Sequence, residues 1–240
     1  MSVPLEIKKV KRTGLISAFL VGGLLAAALP VLNMAVRFEN YLALSGTPLQ
    51  VLLDANWLMM TMLNVLLIVM GACLMYYTEY TDNAFQKIQS LPIKESSVFF
   101  SKTILLSGLY VIVLAIEAAS FIFSSFHWFG FYEDFWVELG KNFGYFFLLG
   151  LPTIIVSMLI ASVFKNIWVS LGISVIGVFM AIMIYNKSFV FSLFPYAMPF
   201  QVLGGTDLAR VVQFICMAFL EIIVIGIAKL MFIKIRRVFE

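Results

Sequence analysis

Six runs of roughly twenty apolar residues, each nearly free of charge, govern what this 240-residue chain can fold into. The hydrocarbon layer of a bilayer is about 30 Å thick, and a helix rising about 1.5 Å per residue needs roughly 20 residues to cross it. Lipid offers backbone N–H and C=O groups no partners, so a run of this length crosses as a helix that satisfies them internally. The runs are residues 15–36, 57–77, 103–125, 143–164, 167–185 and 211–233. Charged residues make up 12% of the chain, against about 25% in a typical soluble domain, which argues against a water-soluble fold. The expected fold is an all-α integral membrane protein of six transmembrane helices. Only Lys165 and Asn166 separate the fourth run from the fifth, so those two must form a tight hairpin.

Basic residues set the expected orientation, because Lys and Arg accumulate on the cytoplasmic side. With the N-terminus inside, that side holds Lys8, Lys9, Lys11, Arg12, Lys87, Lys94, Lys102, Lys165, Lys234, Arg236 and Arg237. The outside holds Arg37, Lys141, Lys187 and Arg210, with the acids Glu39, Asp54, Glu133, Asp134, Glu138 and Asp207. Both termini are expected in the cytoplasm. Positive charge sits beside the spans rather than along a polar face, which removes the case for nucleic acid. The basic start, the apolar run and Ala26-Ala27-Ala28 have the outline of a secretory signal, but the run continues to Val36 and reads as an uncleaved first span.

Three segments outside the spans are informative. Val3, Ile7 and Val10 recur at helical spacing opposite Glu6, Lys8, Lys9, Lys11 and Arg12, which predicts an interfacial helix over residues 1–14 anchored to membrane lipid. In the connection 78–102, a stripe of Tyr80, Ala84, Ile88 and Leu91 continues from Tyr77, with Lys87 near its end and Pro92 as a stop. This predicts an amphipathic helix that either offers a surface to a cytoplasmic partner or rests on headgroups. Between 187 and 210, the stretch 188–206 carries no charge, yet Pro195, Pro199 and Gly204-Gly205 forbid one continuous helix. Two short helices re-entering from the outer mouth fit it, with a loop of aromatics at the interface as the alternative. The aromatics of 126–136 read as an interfacial belt or, alternatively, an aromatic cage.

Chemistry is notable by its absence. The single histidine, His127, cannot build a metal site of the H-E-x-x-H kind, and Cys73 and Cys216 lie inside apolar runs without disulfide or zinc spacing. No G-x-x-x-x-G-K-[ST] phosphate cradle occurs, so no cofactor is expected on this chain, and ATP-driven work requires another polypeptide. Glu117 in the third run and Glu221 in the sixth are intramembrane acids, which by default suggest function. They suit a proton or cation relay in a self-sufficient channel or carrier, attraction of a cationic substrate, or hydrogen bonds across helices.

Taken together, an N-terminal interfacial helix, six spans, a helical connection between the second and third, and a broken apolar segment before the sixth resemble ABC-2 type ABC-transporter permeases. The local signature is Glu79, then the amphipathic stretch, then Leu91-Pro92-Ile93, then Lys102. Within that family, the length, the run Glu6, Lys9, Lys11, Arg12, Thr13 and the stretch Ser90 to Ile93 look most like lantibiotic-immunity permeases; bacitracin-resistance permeases are similar at this level. The resemblance implies one transmembrane domain over 1–240 and a coupling helix at 79–91 seated on a separate ATPase, with Glu79, Ala84, Lys87, Ile88, Leu91 and Pro92 as its coupling residues. It further implies two ATPase subunits that bind ATP and Mg, a second permease chain, identical or different, and a peptide substrate expelled from a bacterial cytoplasmic membrane. Pro195, Pro199, Gly204 and Gly205 would belong to the external gate.

Overall fold

The computed structural model describes residues 3–11, 13–80 and 95–239, and among these every regular element is helical. Helix α1 spans Val3–Val10 and α2 Leu15–Leu42. Between them Gly14 takes a left-handed conformation (φ 72°) that a side chain would disfavour, and this sharp turn lays α1 back against the bundle. Helix α3 covers Pro48–Tyr80 and α4 Glu95–Ser124, the latter extended by a π-helical turn at Ser125–Phe129. Then come α5 at Phe135–Val163, α6 at Ile167–Ile184, the single turn α7 at Phe189–Ser192, a 3-10 turn at Met198–Phe200, and α8 at Leu208–Phe239. Six helices are long and apolar enough to cross a membrane, as the hydropathy predicts.

Three spans begin eight or nine residues before their predicted starts. The second begins at Pro48 rather than Trp57, the third at Glu95 rather than Thr103, and the fourth at Phe135 rather than Phe143. A polar or charged residue ends an apolar run without ending a helix, so α3 continues through Asp54 and Glu79. Residues 135 and 136 of the aromatic stretch therefore lie inside α5. The expected hairpin between the fourth and fifth spans is present, and Asn166 caps α6 by accepting the Trp168 N–H at 2.9 Å.

Helix α3 is the axis of the bundle, packing against α2, α5, α6 and α4, while α5 also holds α8. Small residues allow the close approaches. A Cβ on Gly150 of α5 would stand 2.4 Å from the Tyr110 ring of α4, and one on Gly71 of α3 2.7 Å from Leu106. In α8, by contrast, only 11% of the most apolar window is buried, which leaves most of that helix to lipid or another subunit.

The apolar stretch before α8 folds into the bundle instead of standing off it. Tyr196, Ala197, Met198 and Phe200 are buried. Carbonyls on either side find donors on the spans: Trp57 Nε1 donates to Pro199 O at 3.0 Å, and Thr153 Oγ1 to Pro195 O at 2.5 Å. Tyr196 packs over Gly177 of α6 and accepts a hydrogen bond from Ser157 Oγ at 3.2 Å.

Candidate functional site

At the end of the bundle that carries α1, four charged side chains converge on the helix ends that flank residues 81–94. Lys102, about two turns into α4, is 1% exposed; its Nζ lies 2.8 Å from Glu6 Oε2, 3.2 Å from Glu79 Oε1 and 2.9 Å from the Met75 carbonyl. The Tyr76 ring covers the same ammonium at 5.6 Å. Lys9 closes the circuit from the rim, 3.1 Å from Glu6 Oε1 and 3.3 Å from Glu79 Oε1. Two cations and two anions thus cancel, and every link crosses between elements or pins α1: Glu6 and Lys9 from α1, Glu79 from α3, Lys102 from α4. Burial would push the Glu6 carboxyl up, but Lys102 and then Lys9 outweigh it and hold it below its ordinary value.

Glu6, which helical spacing sets opposite Val3, Ile7 and Val10, is fully buried while Ile7 is 41% exposed. A buried ammonium at Lys102 reverses the ordinary preference, because leaving it unpaired costs more than burying a carboxylate beside it. Glu79 likewise lies within α3 and turns inward to its own chain. Ala84, Lys87, Ile88, Leu91 and Pro92 lie outside the described residues.

A second polar node joins the same flanks to the far-travelling helices. Tyr80, the last residue of α3, donates from its hydroxyl to Ser162 O of α5 at 2.7 Å. Lys229 of α8 donates to Ser162 Oγ at 2.8 Å and stands 3.6 Å from Glu95 Oε1, the first residue of α4. Sequence reading missed Lys229 because it sits inside the sixth apolar run; the rule that singled out Glu117 and Glu221 applies to it equally.

Among the described residues no hydrogen bond joins those two acids. Glu117 is fully buried on α4, where Oε2 accepts from Asn64 Nδ2 of α3 at 3.1 Å; Oε1 and Asn64 Oδ1 have no hydrogen-bond partner. Glu221 sits half-buried on α8, and among the described residues no hydrogen bond joins it to Glu117. Glu117 therefore contributes a link between the second and third spans. At the opposite end of the bundle, Pro195 and Pro199 present their carbonyls inward as described, Gly205 takes a left-handed turn (φ 71°), and a Cβ on Gly204 would meet Gln50 at 3.2 Å. Nearby, Glu138 accepts hydrogen bonds from the Tyr132 and Thr47 hydroxyls, and burial, then the bond to Glu138, push the Tyr132 phenol up to about 12.

The geometry is that of a bundle of six spans with polar pins at the flanks of one connection and a broken apolar segment before the last span. The family model for ABC-2 family transporter proteins matches residues 2–181, three quarters of the 240, and the chain belongs to that family. It is the permease of an ABC transporter, a multi-pass membrane protein whose partner is an ABC ATPase. No curated protein and no solved structure matches it.

Proposed function

We propose that this chain is the permease subunit of an ATP-driven exporter that expels antimicrobial peptides of the lantibiotic or bacitracin kind from a bacterial cytoplasmic membrane. Both termini face the cytoplasm, the α1 end is the inner end, and α1 rests in the inner interface. Residues 79–91 meet the ATPase, two copies of which bind ATP and Mg, and a second permease chain, identical or different, completes the path. The stretch with Pro195, Pro199, Gly204 and Gly205 forms the outer gate.

The observation that carries this reading is the buried cluster of Glu6, Lys9, Glu79 and Lys102. A connection that transmits force needs its two ends joined to each other and to the spans. Separating one partner from a buried ion pair costs about 3–5 kcal/mol, so the ends of α3 and α4 and the whole of α1 move as one body when residues 81–94 are displaced. Asn64 and Glu117 hold the same two spans together deeper in the bundle.

The test is survival of a sensitive bacterium that expresses the chain with its ATPase and second permease, over a panel of lantibiotics and bacitracin. Raised resistance to at least one peptide, lost when the ATPase is inactivated, is the expected result. Sensitivity unchanged across the panel, with the complex assembled, rules out the peptide-export assignment.

A further inference from the structure

At the end of the bundle opposite α1, the connection between the last two spans folds around a polar cleft of about 300 Å³, within the size range of small-ligand sites. Its walls are the turn from Tyr185 to Ser188 after α6, the short α7, Gln201 of the stretch before α8, and the first turns of α8. Lys187 and Arg210 are the charged residues that line it, one from the turn and one from α8, and both are cations.

The cleft is braced. Gln201 Nε2 donates to Tyr185 O at 3.0 Å, which ties the stretch before α8 to the end of α6. The Phe189 and Phe214 rings meet with centroids 5.3 Å apart and join α7 to α8. The hydroxyls in the wall are already committed: Ser192 Oγ donates to Phe189 O at 2.7 Å and Thr206 Oγ1 to Val202 O at 2.8 Å. The two cations are not committed, for among the described residues no carboxylate forms an ion pair with Lys187 or Arg210. Asp207, about one turn before Arg210, stands outside the lining.

Two positive charges in a cleft without an acid to cancel them attract an anion. The cleft lies where α6 ends and α8 begins, at the depth of the bilayer headgroups, and the anion concentrated at that depth is lipid phosphate. Guanidinium and ammonium both donate to phosphate oxygens, the guanidinium as a planar fork. Beside the cleft, Met183 of α6, Val190 and Phe191 of α7 and Leu208 of α8 are exposed, a surface suited to acyl chains. We propose that the cleft binds the headgroup phosphate of an anionic membrane lipid between Lys187 and Arg210, with the lipid chains running along α6 and α8. The site needs neither nucleotide nor peptide, and this chain alone lines it.

The experiment titrates the full-length chain, purified in detergent, with phosphatidylglycerol and in parallel with zwitterionic phosphatidylcholine, and counts bound lipid by native mass spectrometry. Phosphatidylglycerol should bind the more tightly. Lys187→Ala and Arg210→Ala should each weaken it about fivefold and together about thirtyfold, the scale of one surface cation apiece, while Lys187→Arg should retain it. Both side chains are exposed, so the variants should keep the parent's thermal midpoint. Arg37→Ala removes an exposed cation of α2 at the same end of the bundle but outside the cleft, and should leave the affinity unchanged. Inorganic phosphate in millimolar excess lacks chains and should not displace the lipid. Parent affinity in the double variant, equal binding of the two lipids, or an equal loss in Arg37→Ala overturns the site. Displacement by inorganic phosphate overturns the lipid as its occupant.

Discussion

Lys102 holds two carboxylates that have almost no access to water, so its replacement leaves both to Lys9 alone, a cation at the rim. Lys102→Met should lower stability by about 3–5 kcal/mol, read as a fall in the thermal midpoint of the purified protein in detergent. Adding Glu6→Gln and Glu79→Gln to the same chain should recover much of the loss, because the uncompensated charges are then gone. Acid acts on the same cluster. The folded-state value of Glu6 is depressed below its ordinary 4.5, so its contribution is present above about pH 4.5 and is lost as pH falls through the lower folded value. Glu6→Gln should flatten the stability profile over that acid range; a profile identical to the parent's would remove Glu6 from the cluster's energetics. Sequence reading placed Glu6 opposite the apolar stripe of α1 because helical periodicity sorts residues by polarity alone. It cannot register a buried cation contributed by a helix nearly a hundred residues away.

At the scale of elements, the bundle depends on close approach at a few glycines. Gly150→Ala forces a methyl into the Tyr110 ring and should cost about 1–3 kcal/mol, whereas Gly108→Ala, on the same α4 as Tyr110 but facing open space, should be neutral or slightly stabilising. Thermal unfolding of the two variants side by side checks the packing of α4 on α5; equal effects would contradict it. Asn64 supplies the one hydrogen bond that Glu117 makes across helices. Glu117→Gln keeps that shape and should leave expression intact, while Asn64→Leu removes the donor and should lower the yield of folded protein. The number of spans was legible in the sequence because about twenty apolar residues have no other stable arrangement in lipid. Their ends were not, since Glu79, Asp54 and Glu95 are polar yet continue a helix whose backbone bonds are indifferent to side-chain charge. The inward fold of residues 195–200 was legible in outline from prolines in an uncharged stretch, but its donors, Trp57 and Thr153, come from two distant spans.

For the whole molecule, the chain is the permease of a machine whose other part is an ABC ATPase, and its parts are graded accordingly. The α1 end is pinned by ions at both flanks of 81–94, the middle by glycine contacts and Asn64–Glu117, and the last span is left largely uncovered. The family signature of Glu79 and Lys102 was visible as two residues in a row of letters; that they meet at 3.2 Å, with α1 between them and water, is a property of the fold. The central proposal is that residues 79–91 dock on the ATPase and drive the spans through these pins. Its most direct measurement is co-purification of the permease with its ATPase, and the ATP hydrolysis of that complex, before and after Ile88→Asp with Leu91→Asp. The account predicts that the permease still folds and reaches the membrane while the ATPase is lost or its hydrolysis no longer responds to it. Retention of the ATPase with unchanged coupled hydrolysis would contradict the account.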